Sequence, residues 1–210
     1  IDAHGHVQGL AIDALGTVGA YCSYRRIGTA DGVMAVRFAG LAYDFDHYDA
    51  QLNVVFQNKP PLSVYRGVGQ PLACAIGEQM VDLAAEAAEI DPIEMRRRNY
   101  LTPDKFPRMS PGGVSVEAMS LLPCLDLLVE RMDYDALRTE QARLREQGVY
   151  RGIGFVAFIK GTAPSPVGYY GAGRAPIAAQ DATTVSLEPS GAVLCLVGVT
   201  EQGQGADTVM

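Results

Sequence analysis

Three glycine loops are the places in this sequence where backbone chemistry can meet an anionic group. Tyr65-Arg66-Gly67-Val68-Gly69-Gln70-Pro71 runs straight into a helix opened by Pro71. The N–H groups and dipole of a helix start favour negative charge, and Arg66 adds a planar fork of donors. Gln202-Gly203-Gln204-Gly205 follows a strand and precedes Asp207-Thr208. Its glycines permit close backbone approach, and each glutamine amide both donates and accepts. The third loop, Gly168-Tyr169-Tyr170-Gly171-Ala172-Gly173-Arg174, has a G-x-G without a third glycine or a preceding strand. It is expected to be a strand connection, because a dinucleotide fingerprint needs both. Leu72 stands where the first loop would need its third glycine, so neither loop is of the Rossmann type.

Other chemistry is poorly supplied. There is no G-x-S-x-G, H-E-x-x-H or G-x-x-x-x-G-K-[ST]. Cys22, Cys74, Cys124 and Cys195 form no C-x-x-C pair, which excludes cysteine-held zinc or iron–sulfur sites and a disulfide scaffold. Buried free thiols in a reducing cytoplasm are expected. His4 and His6 alternate on a strand with no third ligand at suitable spacing, and His47 lacks a catalytic partner. Asp44, Asp46 and Asp49 lack the glycine and distal glutamate of a calcium loop. Neither a catalytic residue nor a metal ligand is assigned.

Composition narrows the partners. The 210 residues are 48% hydrophobic and 20% charged, with 17 Lys+Arg against 24 Asp+Glu and a net charge of −7. Such a surface repels nucleic acid and anionic lipid. No apolar run reaches the roughly 20 residues of a membrane span.

The elements that must position these loops give an α+β chain of mixed strands and helices. Residues 1–26 are expected to hold two short strands, the first over Val7–Leu15, with further strands at Val33–Phe38 and Gln51–Gln57. From Pro71 a helix carries Leu72, Ala73, Ile76, Met80, Leu83, Ala84 and Ala87 as one apolar stripe through Ile90. Asp91-Pro92-Ile93-Glu94 starts a second helix with Asp as N-cap and Pro at the first position. Arg96, Arg97 and Arg98 are expected to be its solvated end. Residues 101–122, with Pro103, Pro107, Pro111 and Gly112-Gly113, have linker composition. Pro123–Arg145 is helical, with Leu125, Leu128, Val129, Met132, Leu137 and Leu144 inward, and Gln147-Gly148 closes it. A strand over Gly152–Ile159 and a hairpin over 183–199, turned at Pro189-Ser190-Gly191, complete the chain.

The order of these features resembles the molybdenum-binding large subunit of the xanthine dehydrogenase/aldehyde oxidase family. Tyr65-Arg66-Gly67-Val68-Gly69-Gln70-Pro71 looks like its [YF]-R-G-x-G-x-P element, and Asp91 through Asn99 like its D-P-x-E-x-R-x-x-N element. Arg151-Gly152-Ile153-Gly154 looks like the R-G-x-G entry to its second cofactor domain, and Glu201-Gln202-Gly203-Gln204-Gly205 like its E-x-G-Q-G loop. The resemblance implies three parts: the end of one molybdopterin-binding domain over 1–101, a proline-rich connector and helix over 102–149, and the start of the next domain over 150–210. It implies a molybdenum pyranopterin (molybdopterin or its cytosine dinucleotide form) contacted by Tyr65, Arg66, Gly67, Gln202, Gly203, Gln204 and Gly205. It further implies iron–sulfur clusters and FAD on partner subunits or domains, a small-molecule substrate, and hydroxylation of an aldehyde or N-heterocycle with water as the oxygen source.

Three departures restrict the substrate. Gly67 stands where copper-dependent carbon monoxide dehydrogenases of the family carry a cysteine. Val68 replaces the phenylalanine of purine-oxidising members, and Met34 occupies the place of their substrate arginine. The family's catalytic glutamate is expected beyond Met210. The chain opens at Ile1 without Met and closes in a helix start, so it is expected to be a piece of a longer polypeptide, inactive and unable to hold the cofactor alone. The competing expectation is a non-catalytic anion-binding or interaction module that keeps the fold.

Overall fold

The computed structural model describes residues 1–22, 28–161, 182–201 and 203–210. They fall into two compact units, Ile1–Lys160 and Gly161–Met210. No helix is long and apolar enough to cross a membrane among the described residues.

In the first unit, β1 (Gly9–Thr17) and β2 (His47–Val55) pair in parallel, from Gly9 opposite His47 to Thr17 opposite Val55. Parallel neighbours need a crossover, because a tight turn cannot join them. That crossover is α1 (Ala30–Phe38), which corrects the strand expected over Val33–Phe38. A short, mostly apolar run of this kind, interrupted by Arg37, fits a buried strand or a buried helix equally well. The helix signals are Asp31 in the first turn, Arg37 in the last, and Gly40 beyond the end at φ 71°. In the described part of residues 1–26 there is one strand, not two.

α2 (Gln70–Ala87) follows Pro71 as expected, but a different face is buried. Gln70, Ala73, Gly77, Glu78, Val81 and Ala85 face inward, whereas Leu72, Met80 and Leu83 are exposed. Close approach explains the choice: a Cβ on Gly77 would stand 3.2 Å from the Gly40 nitrogen. Only small side chains fit where two backbones come that near.

α3 (Pro92–Asn99) is capped by Asp91, whose Oδ1 accepts from the N–H groups of Ile93 (2.8 Å) and Glu94 (3.4 Å). Glu94 pairs with Arg98 at 2.7 Å. The arginine run is not uniformly solvated. Arg97 and Arg98 reach solvent, but Arg96 is 0% exposed and lies against Glu78 and Asp82. Arg97, paired with the exposed Asp126, is expected to cost about 0.5 kcal/mol or less when changed to alanine, a difference thermal unfolding would resolve from the effect at Arg96. At the end of α3, the buried Asn99 amide donates to Gly5 O and Met95 O at 2.8 Å. Its oxygen accepts from Val7 N–H at 2.7 Å.

Residues 101–122 are not a linker. They form a 3₁₀ turn (Pro103–Lys105) and an antiparallel pair, β3 (Arg108–Met109) with β4 (Ser115–Val116). Lys105 and Arg108 bind Asp44 at 2.9 and 3.0 Å and so tie the segment down. The expected single helix after Pro123 is two, α4 (Leu121–Met132) and α5 (Tyr134–Glu146). Asp133, at φ 49°, ends the first and caps the second through Ala136 N–H. Leu125 is buried as expected, Leu128 is exposed, and Tyr134 at the start of α5 is buried as well.

Gly152–Ile159 has strand alternation without a strand ladder. Ile153, Phe155, Ala157 and Ile159 face the core, while Val156 and Phe158 are exposed. No strand pairs with it among the described residues.

The second unit is described by β5 (Thr183–Leu187) and β6 (Val193–Val197), an antiparallel hairpin turned through Gly191 at φ 85° as expected, and by the short α6 (Ala206–Val209). Gly168–Arg174 and Gln202 lie outside the described residues. All four cysteines are free, but only Cys74 is half-buried. Cys22, Cys124 and Cys195 sit on exposed loop, helix and hairpin positions, contrary to the expected burial.

Candidate functional site

The loop before α2 is built from three successive left-handed residues: Gly67 (φ 106°), Val68 (φ 45°) and Gly69 (φ 70°). Such a run turns the chain sharply, and it leaves Gly67 and Gly69 buried with Val68 half-buried between them. Val68 N–H donates to Tyr65 O (2.8 Å), Gln70 N–H to Gly67 O (3.2 Å), and Ala73 N–H to Gly69 O (3.0 Å). Gly69 N–H meets the Asp31 carboxylate on α1, opposing the burial that pushes this carboxyl above its ordinary range. Both glycines are required by space. A Cβ at Gly69 would fall 1.9 Å from Asp31 O, and one at Gly67 would fall 2.6 Å from the Pro71 ring. Tyr65 and Arg66 project outward, with Tyr65 84% exposed.

The second expected loop has already met an anion. Gly203 and Gly205 both stand at φ 84°, and their N–H groups, with that of Asp207, donate to the Glu201 carboxylate at 2.5, 3.3 and 3.1 Å. These donors hold the Glu201 carboxyl below its usual range. Gln204 Nε2 donates to Thr200 O at 2.7 Å. Asp31 and Glu201 are the residues the sequence reading missed. Glu201 was visible as the first residue of the E-x-G-Q-G string, whereas nothing local marks Asp31. His4 and His6 serve a turn in which the Asp2 carboxylate accepts both their N–H groups (2.8 and 2.9 Å). Among the described residues, no group of three or more His, Cys, Asp or Glu is placed to hold a metal ion.

Models of the molybdopterin cofactor-binding domain match residues 1–100 and 127–210. The chain belongs to the molybdenum-binding large subunits of the xanthine dehydrogenase/aldehyde oxidase family. The nicotine 6-hydroxylase large subunit of Paenarthrobacter nicotinovorans is 31% identical over the whole chain, which covers 25% of that relative. The xanthine dehydrogenase molybdenum-binding subunit of Escherichia coli O157:H7 is 29% identical, again over the whole chain and 26% of the relative. Quinoline 2-oxidoreductase from Pseudomonas putida 86 superposes with a TM-score of 0.84 at 28% identity, over 97% of this chain and 26% of the other. The chain therefore spans about a quarter of the length of these three relatives.

The residues present fit the cofactor that this family's domains bind. A phosphate-bearing pterin asks for N–H donors on exposed backbone and for a cationic fork. In the first unit the exposed Arg66 supplies such a fork beside Gly67, and in the second unit the Gly203 and Gly205 N–H groups converge on a carboxylate. The Glu201 carboxylate shows directly that the second turn accommodates an oxyanion.

Proposed function

We propose that this chain contributes cofactor-contacting walls to a molybdenum hydroxylase that oxidises N-heteroaromatic compounds, with water as the oxygen source. The observation that carries the reading is the run of three left-handed residues before α2, with no room for a Cβ at Gly67 or Gly69. When bound, the molybdenum pterin supplies oxygen-atom transfer and takes up the two electrons; iron–sulfur and FAD partners would carry them away. Gly67 N–H and Arg66 are assigned to orient the cofactor beside α2, and Gln202, Gly203, Gln204 and Gly205 to cradle its pterin or phosphate end. Tyr65, exposed next to Arg66, is assigned to shield the same face.

The space around Gly67 argues against carbon monoxide as substrate, because a cysteine there would press its Cβ into Pro71. Val68 offers little area for stacking a purine. The heterocycles in the names of two relatives that match nearly the whole chain, nicotine and quinoline, support the N-heteroaromatic class.

The test is the complete subunit expressed with its partners, assayed for molybdenum content and for turnover of quinoline, nicotine, benzaldehyde and carbon monoxide. Molybdenum with turnover of a heterocycle is expected. A molybdenum-free complex, or one that turns over only benzaldehyde or carbon monoxide, would overturn the reading. In the same enzyme, Arg66→Ala is expected to lower molybdenum occupancy or turnover at least tenfold, with the melting temperature unchanged.

A further inference from the structure

Arg96 is fully buried, and every one of its donors is used. Nε and Nη2 reach Glu78 Oε2 (3.0 and 2.9 Å), Nη1 reaches Asp82 Oδ1 (2.7 Å) and Pro92 O (3.1 Å), and Nη2 also donates to Phe155 O (3.0 Å). Glu78 accepts the Tyr43 hydroxyl at 2.8 Å and the backbone N–H of Ala157. Phe155 O and Ala157 N–H are two positions apart in an extended segment, so they lie on one edge. They are the acceptor and donor that a neighbouring strand would engage in a ladder. Here two side chains from two helices engage them instead.

We infer that Glu78 and Arg96 are positioning residues: among the described residues no strand pairs with 155–157, and their buried pair takes that role and fixes the segment in an extended path on the first unit. This explains why Gly152–Ile159 keeps strict alternation without a ladder among the described residues. It also gives α2 two duties. Its first turn carries the Gly67–Gly69 loop, and about 12 Å along its axis, eight residues on, Glu78 holds the exit segment. The inference goes beyond the proposed activity and does not depend on it.

A buried ion pair replaced by apolar residues of similar size often leaves stability unchanged, so folding and positioning separate experimentally. In the full subunit, the Glu78→Met/Arg96→Met double variant and Arg96→Lys, which keeps the charge but loses the fork, would be compared with the parent by hydrogen exchange resolved to peptides. The peptide covering 152–160 is expected to exchange at least tenfold faster in both, while peptides from β1, α1 and β2 exchange as in the parent. Unchanged exchange over 152–160 in both variants would overturn the inference. So would equal acceleration of β1, α1 and β2 in both, since that is the signature of lost stability alone. Exchange is read without molybdenum or turnover, so its failure is distinct from a failure of the proposed hydroxylase activity.

Discussion

Arg96→Ala is expected to destabilise the first unit by about 3–5 kcal/mol, the usual cost of removing one partner from a buried ion pair. The cost arises from what stays behind. Glu78 is buried, with the Tyr43 hydroxyl and the Ala157 N–H as its other partners. Burial already pushes its carboxyl above the ordinary range, and Arg96 is the strongest opposing influence. Without Arg96 the shift grows. The folded state then holds a proton that the unfolded state releases near the ordinary value of 4.5, so stability falls as pH rises from there through the raised folded value. The variant should therefore lie closest to the parent near pH 4.5 and fall furthest behind at pH 8. Denaturant unfolding of both proteins across that range checks the sign. A deficit that does not depend on pH would show that Glu78 is not the stranded charge.

Gly69→Ala is expected to cost about 2–4 kcal/mol, combining a forced positive φ with overpacking against a backbone. The new methyl would meet Asp31 O at 1.9 Å and Ala35 N at 2.9 Å, and neither can move without displacing α1. Gly205→Ala is the matched control. Its φ is 84°, but nothing lies within 4 Å of the added Cβ, so only the left-handed backbone cost of about 1–2 kcal/mol applies. Thermal unfolding of the two variants separates conformational from steric cost. Equal losses would mean that the loop before α2 is not packed as described.

Signals confined to neighbouring residues were legible in the sequence. The Asp91 cap, the Gly148 stop and the turn at Gly191 depend only on residues a few positions apart, and each stands where expected. The glycine loops were legible for the same reason, since positive φ at Gly67, Gly69, Gly203 and Gly205 is a local demand. What could not be read depends on distant partners. Leu72, Met80 and Leu83 outweigh Ala73, Gly77 and Ala85 in hydrophobicity, yet the small residues face inward, because Gly40 approaches from another part of the chain. Arg96 cannot be told from Arg97 and Arg98 until Glu78 and Phe155 are placed beside it. Val33–Phe38 carries no periodicity of its own, and the parallel pairing of β1 with β2 decided its form.

Asn99 adds a constraint on time. Its bonds to Gly5 and Val7 join residues 94 and 92 positions apart. Closing a flexible loop of that length costs about 4 kcal/mol of chain entropy by logarithmic scaling. Two hydrogen bonds do not offset this in an unfolded chain, so the contact forms only after β1, α1, β2 and α2 have shortened the path between its ends. The asparagine that ends a locally readable helix thus marks a late step in folding, and amide protection at Val7 should develop after that of the helix interiors.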